Sequence, residues 1–173
     1  MGFPFLDYGF LYGYGLFETI RIENGRAQLL QEHIARIKKS ALFLEIPFMF
    51  SDNDIVNQVE HLIQQNNVEQ CILNFYLTPG DRGVDPTVSN VEYPFFLIVM
   101  RQWPGYLHEQ RLRLDVRQES FQKTPLDRLK TLAWMKNILE NRLSEGFEDV
   151  MLFDSSHCIL ETSRSNVFFV KGD

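Results

Sequence analysis

The chain has 173 residues, of which 45% are apolar, 13% aromatic and 23% charged, enough apolar side chain for a packed core and a balance that excludes a disordered or fibrous protein. Acidic residues outnumber basic ones 23 to 17, and the net charge of −6, with the bases scattered, opposes binding to a nucleic-acid backbone. The longest apolar run, Phe95 to Met100, is far shorter than the roughly 20 residues of a membrane helix, residues 1–15 carry no signal-peptide pattern, and Cys71 and Cys158 alone suit a reducing cytoplasm.

The opening, Gly2 to Gly15, is rich in glycine and aromatic residues and reads as a loop. Leu16 to Ile22 alternates, Asn24-Gly25 is a turn signal, and Arg26 to Leu30 returns, which predicts a β-hairpin. Ile34, Ile37, Ala41 and Leu44 recur at helical spacing before Pro47, so a helix is expected over 31–45. Ser51 to Asp54 can cap a second helix, whose stripe is Ile55, Val59, Leu62 and Ile63. Cys71 to Leu77 and Pro94 to Met100 are rich in strand formers. The first part thus reads ββααββ.

A shift in composition at Gln102-Trp-Pro-Gly-Tyr106 suggests a linker between an N-terminal domain, 1–104, and a second from 109 to 173. In the second, Arg111 to Arg117 alternates as a strand, and Leu132, Met135, Leu139 and Leu143 give a helical period from Lys130 to Glu145, stopped by Gly146. Strands are expected at Asp149 to Asp154, His157 to Glu161 and Val167 to Val170.

Several familiar chemistries are absent. Gly13-Tyr-Gly15-Leu-Phe-Glu18 begins like a dinucleotide fingerprint, but Glu18 takes the place of its last glycine and a hairpin follows. There is no Gly-Lys-Ser/Thr. His33, His61, His108 and His157 are isolated, which argues against a metal site, and Ser155, Ser156 and His157 lack a nucleophile-elbow context. Lys130 stands out because it enters the expected helix. An amine near apolar neighbours and the positive end of a helix dipole is favoured in its neutral, nucleophilic form, the form that makes Schiff bases with carbonyls.

Five blocks in order then carry a resemblance: Asp7 to Arg21, Glu32 to Ala41, Gly80-Asp-Arg-Gly83, Lys130-Thr-Leu132 and Glu161-Thr-Ser-Arg-Ser-Asn-Val-Phe168. With these, the chain resembles the fold-type IV, or class IV, pyridoxal-phosphate enzymes, which include branched-chain and D-amino-acid aminotransferases and 4-amino-4-deoxychorismate lyase. The resemblance implies an α/β (α+β) fold of two domains, a small N-terminal α/β domain and the first part of a larger, sheet-rich cofactor-binding domain, with the cofactor between them.

The resemblance also implies roles. Lys130 falls on the lysine that holds pyridoxal 5'-phosphate as a Schiff base and moves the proton at substrate Cα. Glu161 falls on the acid that pairs with the pyridine nitrogen, Arg36 on the helix arginine that grips the phosphate, and Arg164 and Ser165 on further phosphate contacts. Tyr12, Phe17 and Thr19 match substrate-pocket positions, partly across a homodimer interface, and Arg82 matches an arginine that meets a substrate carboxylate. The activity implied is transamination of a small amino acid of branched-chain or D type. Release of pyruvate and 4-aminobenzoate from aminodeoxychorismate is the alternative, and a non-catalytic dimerisation module is the alternative from another class. The family's usual first strand is absent or replaced by Met1 to Leu6, and family members continue beyond Val170 into a loop whose amides bind phosphate, so a longer natural protein is expected.

Overall fold

The computed structural model describes residues 6–81, 83, 85, 93–103, 105, 111–120 and 124–172, the side chains of 117–120 excepted. Two compact units result: Met1–Gly105 with Leu129–Ala133, and Tyr106–Arg128 with Trp134–Asp173. The segment 129–133 therefore joins the first unit, although its place in the sequence groups it with the second. The cause is a backbone bridge, Leu16 to Thr131, to the first strand of the sheet.

The first unit begins with a short helix, α1 (Tyr8–Tyr12), where the sequence reads as loop. Asp7 supplies what composition alone conceals: its carboxylate accepts from the N–H of Gly9 at 2.7 Å and of Phe10 at 3.3 Å, satisfying amides that a helix start leaves unpaired. Strand β1 (Leu16–Glu23) turns at Asn24-Gly25, both at positive φ, into a two-residue β2 (Arg26–Ala27). The return strand is shorter than expected because helix α2 (Leu30–Phe43) starts at once.

Along α2, Ile34, Ile37 and Ala41 are buried, with Leu44 just past its end, as the three- and four-residue spacing demands. Helix α3 (Asp52–Asn66) is capped by the Ser51 hydroxyl, which accepts from Asp54 N at 3.1 Å, and buries Ile55, Val59 and Ile63. Both helices cover one face of an antiparallel sheet of order β2-β1-β3-β4, with β3 at Gln70–Thr78 and β4 at Phe95–Gln102. Burial alternates along β1, so Leu16, Glu18, Ile20 and Ile22 enter the core while Phe17, Thr19 and Arg21 take the opposite face. Leu73, Phe75 and Leu77 of the central strand complete the core.

The second unit holds a three-stranded sheet of order β5-β6-β7, with β5 (Leu114–Ser120) parallel to β6 (Asp149–Phe153) and β7 (Ile159–Thr162) antiparallel to it. Helix α4 spans only Met135–Leu143, five positions beyond Lys130. None of its residues is buried, so the apolar period of the sequence marks a face that, among the described residues, little covers. The strand expected at Val167 to Val170 is not formed, and Phe168 and Val170 are exposed. A strand exists only where a neighbour accepts its hydrogen bonds, and none is present there among the described residues.

Candidate active site

Lys130 is held by backbone. Phe17 N–H donates to the Lys130 carbonyl at 2.8 Å and Leu132 N–H to the Gly15 carbonyl at 2.9 Å, so residues 130–132 run as an extra edge segment beside the start of β1. This corrects the helix-start reading: α4 begins at Met135, and the helix dipole falls off within its first turn. The amine instead lies 4.7 Å from the centre of the Phe17 ring, where the negative face of the ring attracts an ammonium.

The same face of β1 carries Thr19, paired in register with Asn74 of β3. Asn74 Nδ2 donates to the Glu18 carbonyl and to Thr19 Oγ1, both at 3.0 Å. A carbonyl accepts only from a donor, so this bond fixes which end of the amide faces β1. Asn74 Oδ1 is buried with no partner among the described residues. The Thr19 hydroxyl accepts from Asn74 and so keeps its own proton for a group on the exposed side. Sequence reasoning singled out Thr19 and missed Asn74, which sits within an apolar strand whose register only the sheet defines. Tyr12 ends α1, exposed, with its ring edge-on to Tyr8 at 5.0 Å. Arg82 lies outside the described residues.

On the helix-covered face, Glu18 is 1% exposed. Its carboxylate accepts from Arg36 Nε at 2.6 Å, from Arg36 Nη2, and from His33 Nδ1 at 2.8 Å. Because an ionised carboxylate only accepts, Nδ1 must carry the proton. Burial pushes the Glu18 carboxyl up, but the hydrogen bonds and charges of Arg36 and His33 outweigh it and hold the group below the usual carboxylate range. Glu18 in turn raises Arg36 above its ordinary value. The Arg36 side chain as a whole remains 51% exposed, and Nη1 has no hydrogen-bond partner among the described residues.

In the second unit, Glu161 lies on β7 opposite Leu152 of β6 and is half-buried. The loop after it is organised by Asp149, a residue the sequence presents only as the first position of a strand. The Asp149 carboxylate accepts from Val150 N at 2.8 Å, Thr162 Oγ1 at 2.9 Å, Ser163 Oγ at 2.5 Å and Ser163 N at 3.2 Å. Burial raises its pKa; the bonds from Ser163, Val150 N and Thr162, with the Arg164 charge, bring it below its ordinary value. Arg164 donates from Nε to Asp149 at 3.3 Å and from Nη2 to the Glu148 carbonyl at 2.7 Å. Ser165 gives its N–H to Thr162 Oγ1 at 2.9 Å and its carbonyl to Thr162 N–H at 2.9 Å, which leaves its exposed hydroxyl outside the loop's own bonds.

By their chemistry, each taken by itself, the Lys130 amine and the Arg36 guanidinium of the first unit suit an aldehyde and a phosphate, and the Glu161 carboxylate of the second suits a pyridine nitrogen, so these residue types fit pyridoxal phosphate. Among the described residues no group of His, Cys, Asp and Glu could hold a metal ion.

The D-alanine aminotransferase of Bacillus licheniformis is 33% identical over 181 residues, covering 95% of this chain and 59% of the relative. The aminodeoxychorismate lyase of Bacillus subtilis is 28% identical over 183 residues, covering 98% and 59%. Among solved structures, the branched-chain aminotransferase of the archaeon Thermoproteus uzoniensis with norvaline superposes with a TM-score of 0.79 at 17% identity, over 92% of this chain and 57% of that one. The fold is thus the fold-type IV one, and the chain spans about six-tenths of the length of the curated relatives it matches. The family model for amino-transferase class IV matches residues 15–173, a stretch that contains the β1 motif, Arg36, Lys130 and Glu161, and the chain belongs to that family.

Proposed function

We propose that this chain carries the amine, phosphate and ring-nitrogen contacts of a pyridoxal 5'-phosphate-dependent aminotransferase of small amino acids, of branched-chain or D type. The observation that carries the reading is the seat of Lys130: an amine on a segment bonded to β1, over the Phe17 ring, and next to a strand whose exposed face offers the Thr19 hydroxyl. The kinship with D-alanine aminotransferase supports the amino-acid class.

When bound, the cofactor supplies an aldehyde that captures amines and a ring that accepts the electrons of a carbanion. The residues do the rest. Lys130 Nζ would hold the cofactor through its aldehyde carbon, with loss of water, and as a free amine would move the proton at substrate Cα. Glu161 would pair with the pyridine nitrogen and favour its protonated form. Arg36 and the Ser165 hydroxyl bind phosphate oxygens, and Arg164 supports the loop that presents Ser165. Phe17, Tyr12 and Thr19 face the substrate, and Arg82 meets its carboxylate. The enzyme works as a homodimer in the cytoplasm.

Kinship with aminodeoxychorismate lyase favours a second reading, in which the same residues lead to pyruvate release. One series of experiments separates the possibilities. Pyridoxal phosphate added to the protein should give a visible absorption band, borohydride should fix the cofactor on Lys130 as found by peptide mass, and Lys130→Ala should lack both the adduct and turnover. Keto-acid formation from a panel of amino acids supports the aminotransferase, and pyruvate from aminodeoxychorismate supports the lyase. A protein that stays colourless with excess cofactor is the non-catalytic module.

A further inference from the structure

Glu18 occupies a core position. Its neighbours on the buried face of β1 are Leu16 and Ile20, and a carboxylate among them is unfavourable unless its charge is paired and hydrogen-bonded. An apolar residue would pack there at no such cost. The partners are His33 and Arg36, three positions apart and so neighbours on one face of α2. Arg36 presents the side of its guanidinium, Nε and Nη2, to the carboxylate, which leaves Nη1 and its two hydrogens without a partner among the described residues, on a side chain that is half exposed. A lone arginine samples many rotamers, whereas a planar fork locked at two points presents its remaining donors in one direction. His33, held at 2.8 Å from Oε2, shares that oxygen with Arg36 Nη2 and limits how the fork can tilt.

We propose that Glu18 and His33 are positioning residues that hold Arg36 as a preset receptor for a phosphate dianion, with Nη1 as the donor kept for the ligand. The proposal rests on the reading that Arg36 meets the phosphate of pyridoxal phosphate, and the test separates the two.

The probes are pyridoxal 5'-phosphate and pyridoxal, which differ only by the phosphate, and the readout is the ratio of their dissociation constants with the full 173-residue chain, from absorbance titration. A general loosening of the protein weakens both probes together and leaves the ratio alone. The wild type should prefer the phosphorylated form, and Arg36→Ala should lose that preference. Glu18→Gln should reduce it about tenfold, the loss of roughly one well-aligned charge-assisted bond, with pyridoxal affinity within about twofold of wild type. His33→Asn should reduce it in the same direction, and it carries the test if Glu18→Gln does not fold. A wild-type ratio in Glu18→Gln, or in His33→Asn where that variant carries the test, alongside a collapsed ratio in Arg36→Ala, overturns the positioning role and leaves the Arg36 reading intact. A wild type without preference, or an Arg36→Ala protein that keeps it, overturns both.

Discussion

The N–H of Phe17 donates to the carbonyl of Lys130 at 2.8 Å, so the lysine proposed to do the chemistry is placed by a strand edge and not by a helix start. The pairing explains why 129–133 belongs to the first unit, and it makes the position of the amine sensitive to substitutions in β1 and just before it.

Gly15 is one such position. A Cβ there would lie 2.7 Å from Leu132 Cδ1 and 2.7 Å from the Leu77 carbonyl oxygen, and the second of these is backbone that cannot rotate aside. Gly15→Ala should cost about 1–3 kcal/mol and shift the 130–132 segment. Urea denaturation should show the loss, and the yield of borohydride-fixed cofactor on Lys130 should fall with it; wild-type values for both would contradict the close packing.

The Glu18–Arg36 pair is asymmetric in burial, and its two single variants should differ. Arg36→Ala strands a buried carboxylate with only His33, at about 3–5 kcal/mol. Glu18→Gln leaves a half-exposed cation that water solvates, at about 1–2 kcal/mol. Equal losses in chemical denaturation would show that the carboxylate is less dependent on Arg36 than the geometry indicates.

Both Glu18 and Asp149 have pKa values below their ordinary 4.5 and 3.8. In acid the unfolded chain therefore binds protons before the folded one does. Their stabilisation is fully present above the unfolded values and is lost as pH falls from there through the lowered, folded values. Stability measured across a pH series should be level with respect to these groups above about pH 5 and decline below it, and Glu18→Gln should flatten part of that slope. A slope unchanged in Glu18→Gln would remove Glu18 from the account.

Asp149 orders the loop that carries Ser165 through bonds from Thr162, Ser163 and Arg164. Asp149→Ala removes the acceptor of the Ser163 hydroxyl and one of the two acceptors of the Thr162 hydroxyl and of Ser163 N–H, and about 3 kcal/mol of destabilisation is expected. Amide exchange should accelerate at Val150, whose N–H bonds the carboxylate, and at Ser163, whose N–H would keep only the Val150 carbonyl. Continued protection of both would show that the strand pairing holds the loop without Asp149.

The helices and the sheet face were legible because their signals are local. Ile34, Ile37 and Ala41, or Ile55, Val59 and Ile63, follow the helical repeat whatever they pack against, and the alternation of β1 anticipates its buried face. The same local reading failed at α1, where the Asp7 carboxylate decides the outcome, and at α4, where an apolar period extends upstream of the actual helix to Leu132, which pairs with the edge of β1 instead.

The sequence by itself determined the α/β character, the helical stripes and, through ordered motifs, the family. Only the tertiary structure decided that Lys130 sits on a strand edge, that Asn74 bonds Thr19, and that Glu18 reaches His33 and Arg36, fifteen and eighteen positions away. The reason is physical: a repeat along one element names the side that is buried, but the partner of a buried polar group depends on the register and crossing of separate elements, which no local pattern encodes.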